Sequence, residues 1–325
     1  MQAQGLWQLG NRGGGTGPTP VGPTIELLDN DQTPQATTTV TLTALSGSLI
    51  DILWGDGESE PVVCDGLPHS LVHDYGSEGT FTIGFRGAYT NITLFEISGT
   101  MFDDTVAVFA DLTGLESLHL GGCTNIDGSV ISISGMTGLK SIKVNETAIY
   151  GTVSNFSAMA GLTTLYTYDS SIAGDVSGIS GLTNLEDFRV SQPPPPIVFC
   201  IGGDVSDLYG NTSLKYLHME YASLSIGDIS GAAVFTEIVE LWASHSTMPA
   251  SYTQGDLPAW GGASLKFASL GLDETEVDDF INDLADGCGD DGVLDISGTN
   301  TARSAASDAG KAALLSAGWT VTVNE

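Results

Sequence analysis

The sequence predicts a mainly β chain in three parts: a short Gly/Pro-rich tether, a β-sandwich, and a long parallel solenoid closed by a β-α-β cap. Three observations carry that prediction. An apolar pattern of six residues returns at steps of 24, 23, 23, 29, 24 and 27 residues between Leu115 and Leu270. A second, shorter pattern returns in phase with it. Alternating β-branched and aromatic residues fill the stretch before the array.

Residues 1–23 contain Gly13-Gly-Gly-Thr-Gly-Pro-Thr-Pro-Val-Gly-Pro23, in which no packed element can form. Its glycines follow no strand and open no helix, so they do not read as a phosphate loop. Upstream, Leu6, Trp7 and Leu9 make a short apolar segment suited to docking on a larger assembly. This start has no basic stretch and no long apolar run, so neither an export signal nor a membrane span is expected there.

Residues 24–90 read as strands. Thr37-Thr-Thr-Val-Thr-Leu-Thr-Ala alternates, Ile50-Asp-Ile-Leu-Trp54 follows, and Thr80-Phe-Thr-Ile-Gly-Phe85 comes after a glycine turn. Trp54-Gly-Asp-Gly57, His73-Asp-Tyr75 and Gly79-Thr-Phe81 together resemble the signature of PKD-like, immunoglobulin-type sandwiches. The resemblance implies a spacer, with Trp54 in the core, Asp56-Gly57 in a tight hairpin and Tyr75 at a strand corner. His73 is expected to make a structural hydrogen bond in that corner.

Residues 91–272 hold the array. It opens with Ile92-x-x-Phe95-x-Ile97, an atypical first unit of the kind solenoid ends need. Then come Leu115-x-x-Leu118-x-Leu120, Leu139-x-x-Ile142-x-Val144, Leu162-x-x-Leu165-x-Thr167 and Leu185-x-x-Phe188-x-Val190. Leu214-x-x-Leu217-x-Met219, Ile238-x-x-Leu241-x-Ala243 and Leu265-x-x-Ala268-x-Leu270 complete it. Ile126-Asp-Gly-Ser-Val130, Ile149-Tyr-Gly-Thr-Val153, Ile172-Ala-Gly-Asp-Val176 and Ile201-Gly-Gly-Asp-Val205 form the second arm, with weaker copies at Gly227-Asp-Ile229 and Gly255-Asp-Leu257. Both motifs together resemble leucine-rich repeats of irregular bacterial or phage type. One departure stands out. Where those repeats carry a stacked Asn, this chain has Cys123, Thr147, Ser170, Pro193, Ala222 and Ser246, so small or hydroxyl groups must satisfy that turn. The prolines Pro193–Pro196 account for the long 29-residue step as a stiff bulge.

Residues 273–325 change character. Val277, Phe280, Ile281 and Leu284 have helical spacing, Val293–Ile296 reads as a strand, and Asn300 or Thr301 is expected to cap a helix over 302–317. Trp319–Val323 closes the β-α-β unit. The Asp290-Asp291 pair reads as a solvated turn, not a calcium loop.

Composition narrows function. Forty Asp and Glu against nine Lys and Arg leave a net charge of −31, which repels nucleic acid and anionic membranes. Cys64, Cys123, Cys200 and Cys288 have no paired spacing and read as buried free thiols. No hydrolase, metalloprotease or dinucleotide motif is present, so neither catalysis nor a cofactor or metal is expected.

The binding candidates come from register. The residue between the last two apolar positions of each unit points off the concave sheet. Down the stack this column reads Glu96, His119, Lys143, Tyr166, Arg189, His218, Trp242 and Ser269, flanked by Tyr168 and Tyr216 in the neighbouring columns. Cations beside aromatics suit sugar rings, acidic groups or a protein partner. The resemblance and the missing export signal together imply a bacteriophage virion protein: a fibre, spike or decoration subunit at the virion surface. Its expected partners are other virion proteins through residues 1–23 and a host-surface glycan or protein through the solenoid, and a homo-oligomer is compatible with that role. A bacterial cell-surface or secreted adhesion module is the alternative.

Overall fold

The computed structural model describes residues 22–29, 37–76, 79–99, 102–191, 201–225, 227–245, 250–255, 257–287 and 289–325. Leu6, Trp7, Leu9, the Pro193–Pro196 run, Cys200 and Cys288 lie outside them. Seven strands build the N-terminal part: β1 Thr24–Asp29, β2 Thr37–Ala44, β3 Leu49–Leu53, β4 Ser59–Val63, β5 His69–Asp74, β6 Gly79–Gly87 and β7 Ile92–Glu96. The threonine alternation of β2 turns Thr38, Val40, Leu42 and Ala44 inward, as a half-buried strand requires. One antiparallel sheet runs β1-β6-β3-β4, while β5 and β2 form the start of another. Side chains of both sheets belong to one core, where Phe85 of β6 meets Phe95 of β7 edge-on at 5.7 Å.

The corner after β3 is held by polar contacts. The Asp56 carboxylate accepts the Glu58 backbone N–H at 2.9 Å. Its other oxygen lies 2.7 Å from His73 Nε2, and the His73 ring stacks on buried Trp54 at 4.7 Å. Gly55 is needed here: φ is +90°, and a Cβ would stand 2.5 Å from the Thr82 nitrogen.

Strand β7 serves two structures at once. On one side it pairs antiparallel with β2 (Leu42 opposite Phe95), and on the other it pairs parallel with Ser117–His119 (Phe95 opposite Leu118). The sheet therefore runs unbroken from β5 through β2 and β7 along the whole array, twelve strands in all. Residue 90 is a boundary in the sequence pattern but not in the sheet.

Each coil of the array contributes a three-residue strand whose middle residue is fully buried: Leu118, Ile142, Leu165, Phe188, Leu217. Each such side chain contributes roughly 1.5–3 kcal/mol by leaving water. The second arm has its own logic. Its glycine takes a left-handed conformation (φ +94° at Gly128, +139° at Gly151), and a Cβ on Gly128 would meet Thr105 Oγ1 at 2.1 Å. The next residue then caps a short 3-10 helix: the side chains of Ser129, Asp175, Asp204 and Asp228 accept a backbone N–H two residues on. The helices bury pairs such as Val130 and Ile133, or Val153 and Phe156.

The turn after the concave strand is closed as its residue types require. Thr147 Oγ1 donates to the Val144 carbonyl at 2.7 Å, Ser170 Oγ donates to the Thr167 carbonyl at 2.6 Å, and buried Cys123 points its thiol at the Ile97 carbonyl. Burial pushes that thiol up to about 12, and Cys64 and Cys123 are both free and buried.

Two expectations need correction at the C-terminal end. The last repeat pairs Leu265 with Leu241 and Lys266 with Trp242, so its frame is three residues earlier than the Leu265-x-x-Ala268-x-Leu270 reading. Ser269 takes φ +60°, like Glu146, Asp169, Tyr221 and His245 in the equivalent turns, and so it leaves the binding column. Asn300 does not cap a helix. It is buried, donates to the Phe267 and Ile296 carbonyls, and accepts the Leu270 and Leu272 N–H groups. It thus supplies, once, the side-chain amide that earlier turns lack. The helices are α1 Glu274–Gly287 and α2 Asp308–Ser316, and Val293–Asp295 and Thr320–Thr322 extend the concave sheet.

Candidate recognition face

In-register parallel pairing lines up one concave residue per strand, about 4.8 Å apart. The column reads Glu96, His119, Lys143, Tyr166, Arg189, His218, Trp242, Lys266 and Asp295. Lys266 is the residue sequence reasoning missed, because the apolar Ala268 and Leu270 mimic the motif three residues too late.

The aromatic rings of this column are already occupied. Lys143 Nζ lies 5.1 Å from the Tyr166 ring centre on one neighbouring strand, and Arg189 lies 4.7 Å from it on the other. Arg189 also approaches Tyr216 at 5.6 Å. Trp242 is sandwiched likewise: His218 stacks on it at 3.9 Å, and Lys266 Nζ sits 3.3 Å from its centre. Stacking along the solenoid axis turns ring edges outward. Tyr166 and Trp242 therefore do not offer both faces to a sugar, as their exposure in the sequence pattern suggests.

Hydrogen bonds stiffen the ridge. Arg189 donates from two nitrogens to the Asp187 carboxylate at 2.8 and 3.2 Å, and Tyr166 donates to the same carboxylate at 2.5 Å. Burial, and then this bond, push the Tyr166 phenol far above its ordinary range. Trp242 Nε1 donates to Ser264 Oγ at 3.1 Å. His218, a candidate contact, is buried at 5% exposure with Nε2 2.7 Å from Glu240, so it packs against the side of Trp242 instead of facing a ligand. Burial and the nearby Arg189 charge hold it below the usual histidine range.

Charge pairing separates these residues further. Arg86, Lys140, Arg189, Lys215, Arg303 and Lys311 each have a carboxylate partner. Among the described residues Lys143 and Lys266 do not, although the chain holds forty acids. Both sit in the concave column. Around Lys143 the face deepens into a pocket of about 380 Å³, lined by His119, Asn145, Glu146, Tyr166 and Tyr168 among others. The candidate residues thus divide: His119, Lys143, Tyr166 and Tyr168 share the pocket, Arg189, Tyr216 and Trp242 continue the ridge, and His218 is buried within it.

Among the described residues one group of donors is close enough to hold an ion: Asp56, Glu58 and His73, with ligand atoms within 4.8 Å of one another. No metal ligands were expected there, and the Asp56–His73 hydrogen bond accounts for the approach of two of the three.

A TDR receptor superposes with a TM-score of 0.51 at 15% identity, covering 72% of this chain and 43% of that one. The fold is a leucine-rich-repeat solenoid. The Arabidopsis receptor kinase HAESA, in complex with the peptide hormone IDA and the co-receptor SERK1, follows at TM-score 0.46 and 16% identity, covering 67% of this chain and 40% of that one. An internalin from Listeria monocytogenes gives TM-score 0.36 at 16% identity, covering 67% and 76%. The chain spans about two-fifths of the length of the two receptors. No family model and no curated protein matches it. Among the described residues, no helix is long and apolar enough to cross a membrane.

Proposed function

We propose that the protein is a non-enzymatic recognition module that holds an acid-bearing partner along the ridge from Lys143 to Lys266. One observation carries this reading: in a chain with net charge −31, the two described lysines without a carboxylate partner both lie in that column. A cation left unpaired among so many acids is free to meet an external anion. Occupied ring faces favour charge over ring stacking as the source of affinity.

The wider setting follows from the residues outside the ridge. Residues 24–90 act as a PKD-like spacer, residues 1–23 dock through Leu6, Trp7 and Leu9, and the solenoid meets a host-surface glycan or protein. In this reading the protein is a phage fibre, spike or decoration subunit, and many copies convert weak contacts into avidity.

The test is binding of the full chain to an array of acidic and neutral glycans and acidic peptides. Charge reversal at Lys143, Arg189 and Lys266 together is expected to abolish binding, while reversal of the carboxylate-paired Lys140 and Lys215 leaves it intact. Equal loss in both variants would remove the ridge from consideration. Peptide mass spectrometry of purified virions tests the setting separately.

A further inference from the structure

We propose that the pocket around Lys143 binds a single sugar acid, with Lys143 taking the carboxylate and the polar rim taking the hydroxyls. This rests on the recognition reading above and narrows it to one ligand class at one place. Its volume of about 380 Å³ falls within the range of small-molecule sites, about 300–1,000 Å³. It is set between the first coils of the array, where the Asn145 amide fills the space beside Gly121 (a Cβ there would stand 3.0 Å from it), while at Gly122 a Cβ would meet nothing within 4 Å and the pocket stays open.

The chemistry of the lining is mixed in a particular way. Lys143 is half-buried and has no carboxylate partner among the described residues, so its charge is available. His119 adds no second cation near neutral pH: burial and the Lys143 charge hold it below its ordinary value, and its Nε2 is engaged with Ser141 Oγ at 2.8 Å. One positive centre therefore faces one anionic group. Around it stand Glu96 and Glu146, which accept from hydroxyls, and Asn145, which is buried and reaches Glu146 at 3.3 Å. Carboxylates at the rim also repel a ligand carrying several negative charges. An uncharged sugar would leave Lys143 without its anion, and a polyanion would meet Glu96 and Glu146. A monocarboxylated sugar satisfies both.

Titration calorimetry of the full chain with galacturonate, N-acetylneuraminate and neutral galactose decides the matter. Sugar acid is expected to bind about tenfold more tightly than galactose, and Lys143→Gln to remove that preference, as loss of a hydrogen-bonded charge implies. Lys140→Gln, at a carboxylate-paired lysine outside the ridge, should leave it unchanged. Amide shifts on adding galacturonate should centre on Gly121, Gly122 and Asn145, with the melting temperature confirming that the variant folds. Equal binding of acid and neutral sugar, no binding of either, or an acid preference that survives Lys143→Gln would overturn the proposal. Those outcomes leave the rest of the ridge standing, because the triple charge reversal on the array also removes Arg189 and Lys266, which lie outside the pocket lining.

Discussion

Thr167 occupies an apolar position of its coil, is fully buried, and its hydroxyl has no hydrogen-bond partner. Leaving that group dry costs about 1–3 kcal/mol, whereas valine has the same shape without the hydroxyl. Thr167→Val is therefore expected to stabilise the protein by roughly 1 kcal/mol, read as a higher urea midpoint with unchanged slope. The neighbouring Ser170 bond goes to the Thr167 backbone carbonyl and survives the change. A lower midpoint would mean that the hydroxyl is satisfied after all. At this scale the sequence pattern says where a residue points but not whether its polar atom finds a partner. Lys143 shows the same limit: its column is legible, and its lack of a carboxylate is not.

Among elements, the join between α1 and the segment leading to α2 depends on Asp278. Its carboxylate, at 5% exposure, accepts the Ser304 N–H at 3.0 Å, the Ser304 hydroxyl, and the Ser307 hydroxyl at 2.5 Å. Burial alone would raise this group, yet these bonds hold it below the usual aspartate range. The sign follows: a depressed folded value stabilises fully above the unfolded value near 4 and loses that stabilisation as pH falls through the folded value. Asp278→Asn, which cannot accept both hydroxyls, is expected to cost about 1–3 kcal/mol at neutral pH. Urea unfolding between pH 6 and about pH 3 should show a smaller acid-induced loss in the variant than in the wild type. Identical pH profiles would mean the carboxylate is not the linked group. Helical spacing in α1 was legible because Val277, Phe280, Ile281 and Leu284 share a face. The start of α2 was not, because the Ser304 and Ser307 hydroxyls ahead of it are held by a carboxylate on another helix.

At the scale of the whole molecule, the shared strand β7 matters most. Paired by β2 on one side and the first coil on the other, it leaves the solenoid with no open edge at its N-terminal end. A chain shortened to begin at Ile92 would expose that edge. It is expected to self-associate in sedimentation velocity with increasing concentration, and more strongly than the full chain. Monomeric behaviour of the shortened chain would show that β2 is dispensable as a cover.

The sequence by itself determined the solenoid, its period, the glycine positions of its second arm, and the inward face of every coil but the last. Those features follow from local periodicity: one residue in a fixed place per turn of the chain. Only the tertiary structure decided that Lys266, not Ser269, ends the cationic ridge, and that Asn300 closes a turn instead of capping a helix. Only there do the faces of Tyr166 and Trp242 prove to be covered, and one strand prove to serve two sheets. Each of these depends on which strand lies beside which, and in what register. That is settled by pairing between residues more than twenty positions apart, which no local pattern records.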